Sequence, residues 1–197
     1  MISGRRLSGA ALGGVLGLCA LAASAADAPA SLTQVMASLA ARTHAEAPFV
    51  ERAYLSRLSR PWRTSGVLIY RAPDHLEQRT LSPRPAALIL DGQQLIVRRG
   101  HRTDRLDLRS YPAIAPYVDA IRDTLAGNLA GLERAFEVAF TGDLRRWRLE
   151  LVPRDADAAH RVRRIRIGGA GADIRTVEVL ETDGDRTVMT IGQPAAP

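Results

Sequence analysis

The chain has 197 residues, of which 46% are hydrophobic, and its 27 basic and 21 acidic residues give a net charge of +6. This length is enough for one domain with a hydrophobic core and too short for two domains of ordinary size. The charge is modest and mixed along the chain, which does not favour a nucleic-acid-binding protein, and a single cysteine, Cys19, excludes an internal disulfide bond.

Residues 1–26 have the three parts of a secretory signal peptide. Arg5 and Arg6 provide the positive charge, an apolar run follows, and small residues precede a cleavage site after Ala25 or Ala26. The apolar run is short and rich in glycine, and no later segment approaches about 18 apolar residues, so we do not expect an integral membrane protein. The general secretory route is the expected one, with a twin-arginine signal as the open alternative.

Cleavage of this peptide would remove Cys19, and Leu18 stands where a bacterial lipidation motif needs a small residue. Residues 27–197 then contain no cysteine, which excludes disulfide bonds, thiolate metal sites and a cysteine nucleophile. We therefore expect them to form one exported domain that is held together by its hydrophobic core.

An amphipathic helix is predicted at the start of this domain, in the segment SLTQVMASLAARTH of residues 31–44. Its apolar residues recur at the spacing of one helix face. Ser31 and Gln34 stand in the positions of a capping box, which satisfies backbone N–H groups of the first turn. The apolar residues of this face are Leu32, Val35, Met36 and Leu39.

Segments of strand length follow, separated by prolines. The pair Asp91-Gly92 lies between two apolar runs and predicts a tight hairpin, because a type I′ turn needs positive φ angles that these residue types tolerate. The next segment, residues 103–110, alternates between polar and apolar side chains. The alternation predicts a strand with Leu106 and Leu108 on one face.

A second amphipathic helix interrupts the strands between residues 111 and 128, with Gly127 as its predicted end. Its apolar face consists of Ile114, Tyr117, Val118, Ile121 and Leu125. Strands then resume to the end of the chain. Alternation predicts inward-facing side chains in the first two of these strands, namely Phe136, Val138 and Phe140, followed by Trp147, Leu149 and Leu151.

Ten or eleven strands with two or three helices, and no alternation of strand and helix, predict a mainly β fold with α-helices. A sheet of this size curls, so we expect a single-domain open antiparallel half-barrel whose apolar face is covered by lid helices. The periodicity leaves two alternatives open. The helices cover a cavity that can be filled, or they complete a permanently packed core.

Residue types with catalytic or metal-binding chemistry occur without the spacing that such sites need. The chain has neither an HExxH nor a GxSxG motif, and Asp74 and His75, as neighbours on a strand, point to opposite faces. The glycine-rich segment at 168–172 lacks the lysine of a phosphate-binding loop and predicts a hairpin connection. We expect no enzyme, no catalytic residue, no metal site and no cofactor. The histidines, which are scattered singly, are His44, His75, His101 and His160.

Arginines alternate with apolar residues in RRWR, residues 145–148, and in RVRRIRI, residues 161–167. This is the pattern of a half-buried strand with one solvated face. We favour that interpretation over a nucleic-acid interface. A basic strip that faces a partner or anionic headgroups stays open as an alternative.

Several short motifs follow one another in a recognisable order. After the signal peptide and the opening helix come FVE at 49–51, SG with an apolar strand at 65–70, a turn at Pro73, a strand ending near Pro83, and LILDGQQL at 88–95. In this order the chain resembles the periplasmic outer-membrane lipoprotein carriers called LolA. The likeness covers most of residues 27–197 and looks most like a divergent branch related to LolA.

The resemblance implies a periplasmic carrier or chaperone that sequesters the acyl chains of a lipoprotein or lipid in a hydrophobic half-barrel cavity and delivers the cargo toward the outer membrane. Burial of each methylene is worth about 0.8 kcal/mol, so such a cargo needs an apolar receptor to cross water. The resemblance also implies an inner-membrane donor complex and an outer-membrane acceptor. The alternative is a periplasmic binding or assembly factor of the same fold, with a permanently filled core and no lipid cargo.

The resemblance also implies site residues. The family carries an arginine just before the proline of a turn, thought to hold the lid closed by bonding to helix backbone. Here one residue is inserted, in Arg71-Ala72-Pro73, so Arg71 is an approximate match and the candidate lid gate. The candidate cavity residues are Leu32, Met36, Leu39, Val67, Ile69, Leu106, Leu108, Ile114, Val118, Ile121, Phe136, Phe140, Trp147 and Leu149.

Overall fold

The computed structural model describes residues 31–110 and 115–192. The predicted signal peptide and Ile114 lie outside these residues. Within the described ranges the helices are α1 (Leu32–Ala40), α2 (Ala115–Leu125), α3 (Leu129–Ala135) and α4 (Ala156–Ala159), and a 3-10 turn spans Leu108–Ser110. The strands are β1 (His44–Tyr54), β2 (Trp62–Arg71), β3 (His75–Ser82), β4 (Ala86–Asp91), β5 (Gln94–Arg99), β6 (Arg102–Asp107), β7 (Phe136–Asp143), β8 (Arg146–Pro153), β9 (Val162–Ala170), β10 (Asp173–Glu181) and β11 (Arg186–Ile191).

All the described strands belong to one antiparallel sheet in the order β6-β5-β4-β3-β2-β1-β11-β10-β9-β8-β7. The chain builds one half as a meander from β1 to β6, crosses over through α2 and α3, and returns from β7 to β11 beside β1. The sheet is open, with β6 and β7 at its edges. The predicted fold class, an open antiparallel sheet of ten or eleven strands with helices, is confirmed.

The capping box predicted for the first helix is present. The backbone N–H of Ser31 donates to Gln34 Oε1 at 3.0 Å, and the backbone N–H of Gln34 donates to Ser31 Oγ at 3.3 Å. These bonds fix the start of α1. The buried residues of α1 are Val35, Met36 and Leu39.

The second predicted helix is confirmed as α2, and Gly127 follows its end with a φ of 65°. A Cβ at Gly127 would overlap the carbonyl oxygen of Met36, so glycine lets this turn pack directly against α1. The sequence pattern did not predict α3, a short helix whose N-cap is Asn128. The side chain of Asn128 accepts from the backbone N–H of Gly131 at 3.1 Å.

Half of the sheet carries a packed core. The helices contribute buried side chains from α1, α2 and α3, which contact the inward-facing residues of β1 and of β7 to β11. The predicted inward set of β8 is confirmed, because Trp147, Leu149 and Leu151 are at most 2% exposed. Phe136, at the start of β7, is fully buried in the same cluster.

Two local predictions differ from the structure by one or two residues. Asp91 pairs with Gln94, so the hairpin turn consists of Gly92 and Gln93 rather than of the Asp-Gly pair. The strand β6 ends before Leu108, whose backbone N–H donates to Gln93 at 2.9 Å, and the chain enters a 3-10 turn there.

Leu106 and Leu108 therefore do not belong to one strand, although both side chains lie on the helix-facing side of the sheet. Leu106 pairs with Leu95 on β5 and is half-buried, whereas Leu108 is buried against Leu90 and Val118. The backbone turn after β6 moves the Leu108 side chain into contact with α2.

The arginine-rich strand β9 alternates as predicted. Ile165 and Ile167 are fully buried, whereas Arg166 lies on the opposite face. Its guanidinium is 2.6 Å from the carboxylate of Glu150 and 3.9 Å from that of Glu178. These side chains form an ion-pair strip across β8, β9 and β10, as expected for the solvated face of a half-buried sheet.

Candidate functional site

An open cavity of about 380 Å³ lies between α2 and the part of the sheet formed by β1 to β5, β10 and β11. Its volume is within the range of about 300–1,000 Å³ that is typical of small-molecule sites. Most of the side chains around it are apolar. The apolar lining residues include Ala45, Ala47, Leu68, Tyr70, Leu76, Leu88, Leu90, Leu95, Val118, Ile121, Leu125, Ile174, Val177, Met189 and Ile191.

Strand register builds the floor of this cavity. A row of directly paired residues crosses five adjacent strands on the face that carries the core residue Phe49. The members of the row are Ala45, Tyr70, Leu76, Leu90 and Leu95. A second row begins with Ala47 and Leu68. Because alanine stands on β1 in both rows, the floor is recessed there and leaves room for a ligand.

The helix α2 forms the cover of the cavity. Tyr117, Val118, Ile121 and Leu125 lie on one face of the helix, and all four line the cavity. Val118 also contacts Leu90 and Leu108 in a small cluster of buried residues. This contact holds one side of α2 against β4, so the same helix face packs against the sheet and borders open space.

The candidate cavity residues fall into groups. Two of them, Val118 and Ile121, border the cavity with their side chains, and Ile69 lies next to it with its side chain on the opposite face of β2 from Leu68 and Tyr70. Val67, Leu106 and Leu108 do not border it, and Ile114 lies outside the described residues. Those that belong to the packed core are Met36, Leu39, Phe136, Trp147 and Leu149, with Leu32 and Phe140 packed against it. Whether these side chains touch a lipid stays a prediction.

The alternation along β2 explains part of this division. Leu68 and Tyr70 share the face of the cavity floor, whereas Val67 pairs with Pro48 and Arg79 on the other face. The run GVLIY is apolar at every position, so hydrophobicity alone does not tell which face meets the helices. The sequence did not identify the alanines of β1 as cavity residues, because a small side chain leaves space only in relation to its neighbours in the folded sheet.

Arg71, the candidate lid gate, is exposed at the end of β2. Its backbone neighbours across the ladder are His44 and His75. The structure shows no hydrogen bond or ion pair between its side chain and the other described residues. The gating role of Arg71 stays a prediction.

Charged side chains occur at the solvent-exposed rim of the cavity. A guanidinium nitrogen of Arg42, just after α1, is 2.8 Å from one carboxylate oxygen of Asp173. A guanidinium nitrogen of Arg175 is 2.7 Å from the other oxygen. All three residues line the cavity, so an apolar interior opens at a rim that carries two positive charges and one negative charge.

A carboxyl group also lies on the helix-facing side of the sheet, next to the core. Glu51 pairs with Met189 and Thr64 across the ladders, and the Thr64 hydroxyl donates to Glu51 Oε1 at 3.3 Å. Burial raises the pKa of Glu51. Burial also raises the pKa of Tyr117 on α2, and the negative charge of Glu51 adds to that shift. This region therefore disfavours negative charge.

The described part of the chain contains no group of three or more histidine, cysteine, aspartate or glutamate side chains placed to hold a metal ion. His75 Nε2 is buried and has no hydrogen-bond partner in the structure, but His75 does not border the cavity.

Within residues 31–110 and 115–192, none of the helices combines the length and the apolar character needed to cross a membrane.

Comparison with known proteins gives a family and a set of similar folds. The sequence profile of the family described as "Outer membrane lipoprotein carrier protein LolA-like" matches residues 20–196. No curated protein sequence matches the chain.

Three solved structures illustrate the similar folds. A LolA superfamily protein from Nitrosomonas europaea is 10% identical with a TM-score of 0.41, covering 86% of this chain and 96% of that one. A lipoprotein-sorting protein domain from Vibrio parahaemolyticus is 10% identical with a TM-score of 0.42, covering 82% and 89%. In the MucA/MucB complex of Pseudomonas aeruginosa the match is 13% identical with a TM-score of 0.47, and covers 84% of this chain and 58% of that chain.

Proposed function

The chain belongs to the family of LolA-like outer membrane lipoprotein carrier proteins, and from that premise we propose that it is a periplasmic carrier or chaperone for acylated cargo. The acyl chains of a lipoprotein or lipid enter the cavity under α2, and the protein delivers them toward the outer membrane. The single observation that carries this proposal is the apolar cavity of about 380 Å³ between α2 and the sheet.

Two features of the cavity support reversible binding of acyl chains. The walls are mostly aliphatic, so each methylene that leaves water stabilises the complex by about 0.8 kcal/mol. The cavity is also open to solvent and lies beside the packed core instead of inside it. Cargo therefore has a path out that leaves the core intact.

The proposal includes no chemical step. The cavity lining combines aliphatic side chains with ion-paired charges at the rim, which suits sequestration of an apolar chain. An inner-membrane donor complex and an outer-membrane acceptor are part of the proposal, because a carrier must receive its cargo and release it.

The test is binding of a pyrene-labelled acyl probe, measured by fluorescence titration, to the wild-type protein and to a cavity-filling variant. Ala47 lines the cavity on β1 and pairs with Leu68. Ala47→Phe places an aromatic ring where the acyl chain would lie and should weaken binding at least about tenfold. Ala139→Phe is the matched control, because Ala139 is exposed on the edge strand β7.

Native mass spectrometry of the protein purified from the periplasm tests the same proposal without a probe. Co-purifying lipid or lipoprotein is the expected result. A protein that carries nothing and does not bind the acyl probe contradicts the proposal. That outcome favours the alternative, a periplasmic binding or assembly factor of the same fold without lipid cargo.

A further inference from the structure

The rim of the cavity has a geometry that its apolar interior does not explain. Arg42 comes from the loop after α1 and Arg175 from β10, and both contact the single carboxylate of Asp173, at 2.8 and 2.7 Å. The side chains of these three residues are 40%, 51% and 35% exposed. Two arginines from different elements thus meet at one partly solvated point.

The position of Arg175 depends on an irregularity in the sheet. The register between β9 and β10 shifts between Ile174 and Thr176, so Arg175 is an extra residue without a partner in that ladder. Bulges of this kind redirect a side chain. The guanidinium of Arg175 lies over Gly192, where a Cβ would come into close contact with it. Together these features hold the guanidinium at the rim.

The charges at this rim do not cancel. One carboxylate faces two guanidinium groups, which leaves a net charge of +1. Each arginine uses one terminal nitrogen in its contact with Asp173, and an arginine has five N–H donors. Most of these donors therefore remain available to a ligand, and their fork geometry matches carboxylate and phosphate oxygens.

Two further acidic residues lie next to the cavity, but their carboxylates do not form an ion pair with Arg42 or Arg175. Glu46 and Glu77 flank Ile69 across the ladders of β1, β2 and β3, on the face opposite to the cavity floor. Glu77 is paired with Arg79, with contacts of 2.7 and 3.1 Å. The surplus positive charge at the rim is therefore not neutralised by them.

We propose that the cavity selects amphiphiles with an anionic oxyacid head, a carboxylate or a phosphate, and that Arg42 and Arg175 bind this head while the acyl chain occupies the cavity. This inference rests on the proposed function and narrows its cargo class. An amphiphile in the cavity has its head at the rim, because the head must stay in contact with water. An anionic head there replaces solvent at charged donors, whereas a neutral or cationic head does not.

The experiment compares amphiphiles that have the same dodecyl chain and different head groups. Dodecanoate, dodecyl phosphate, dodecanol and dodecyltrimethylammonium compete for the cavity against the pyrene-labelled acyl probe. The two anions should bind about tenfold more tightly than the alcohol, and the cation more weakly than the alcohol. This preference should diminish as the NaCl concentration increases, because salt screens charges at an exposed rim. The carboxylate and phosphate arms distinguish fatty-acid heads from phospholipid-type heads.

Three variants assign the effect to the rim. The double variant Arg42→Gln/Arg175→Gln should lose the preference for anions and retain dodecanol binding. Asp173→Asn removes the negative charge and should strengthen anion binding, so the two changes act in opposite directions, which general damage to the fold would not produce. The charge-matched control is Arg98→Gln/Arg99→Gln, since both residues are exposed on β5 and do not line the cavity.

Each outcome separates the inference from the function on which it rests. Equal binding of all four amphiphiles overturns the anionic selectivity and leaves the acyl carrier proposal intact. Preference for anions that persists in the Arg42/Arg175 variant overturns the assignment to these residues. Failure of every amphiphile to displace the probe, together with an unbound probe in the direct titration, overturns both proposals.

Discussion

Trp147 lies directly opposite Gly169 in the ladder between β8 and β9, and its indole ring occupies the space that a Cβ of residue 169 would need. The indole N–H donates to the carbonyl oxygen of Gly171 at 2.9 Å. The glycine-rich segment 168–172, predicted as a hairpin connection, forms the end of β9 and the two-residue turn after it, and this segment is therefore part of the packed core. It provides both the space and the hydrogen-bond acceptor for the largest buried side chain.

The first prediction concerns this contact. Gly169→Ala should lower the free energy of unfolding by about 1–3 kcal/mol, because the added methyl group overlaps the Trp147 ring and the carbonyl oxygen of Asp173. Urea denaturation followed by tryptophan fluorescence measures this change.

Gly168→Ala is the matched control for this prediction. A Cβ at Gly168 meets only the end of the Thr176 side chain at short range, and that side chain can rotate. The cost should be clearly smaller than that at Gly169. Equal costs for the two variants would mean that the Trp147 contact does not set the requirement for glycine.

The second prediction separates the cavity from the packed core. Ile121→Glu places a carboxylate in the solvent-open cavity and should abolish binding of the acyl probe while circular dichroism shows a folded protein. Phe136→Glu buries a charge at a position that is 0% exposed and should cost about 4 kcal/mol or more in unfolding free energy. A folded Phe136→Glu variant, or an unfolded Ile121→Glu variant, would contradict this division of the sheet.

How far the sequence predicts this architecture depends on the kind of pattern. Clean alternation in RWRLELV predicts the buried face of β8, and the Ser31–Gln34 pair predicts the start of α1, because each signal is local. The run GVLIY is apolar on both faces, so only pairing with β1 tells that Leu68 and Tyr70 form the cavity floor. The helix α3 is too short for its apolar residues to show a helical period. Asn128, a residue type that favours the N-cap position, is the main local indication of its start.

The rim of the cavity was beyond prediction for the same reason. Arg42 and Asp173 are separated by most of the domain in sequence, and they meet only because β1 pairs with β11 in the middle of the sheet. The register shift that places Arg175 has no sequence motif. The charged residues of the rim come together through long-range strand pairing, which the sequence does not show. The strands and helices around the rim follow from local periodicity, which the sequence does show.

The third prediction concerns Arg71. Because its side chain is exposed at the end of β2, Arg71→Leu should change the free energy of unfolding by no more than about 0.5 kcal/mol. If Arg71 acts as the lid gate that the family resemblance implies, the variant should release the acyl probe at an altered rate and take it up normally. Stopped-flow transfer of the probe to vesicles measures the release rate. An unchanged rate would reject the gating role.

The fourth prediction concerns Glu51 and pH. Burial raises the pKa of Glu51 in the folded protein above its ordinary value, so the folded state holds this proton more tightly than the unfolded state. Stability is therefore lost as the pH increases from the ordinary glutamate pKa through the raised one, and the loss is complete above it. Glu51→Gln keeps an acceptor for the Thr64 hydroxyl and removes the charge, so it should be more stable than the wild type at pH 7 and nearly equal to it at pH 4.

The measurement for Glu51 is urea denaturation of both proteins across this pH range. The difference between variant and wild type is the informative quantity, because the pKa of Glu181 is also raised and that of Glu150 is lowered, and both contribute equally to the two proteins. Glu137→Gln, at an exposed position on β7, is the control for removal of a glutamate charge from the surface. A stability difference for Glu51→Gln that stays constant from pH 4 to pH 7 would mean that the Glu51 carboxylate is solvated in the folded protein. In that case negative charge would be tolerated between α2 and the sheet, and the selection of anionic heads would not need to occur at the rim.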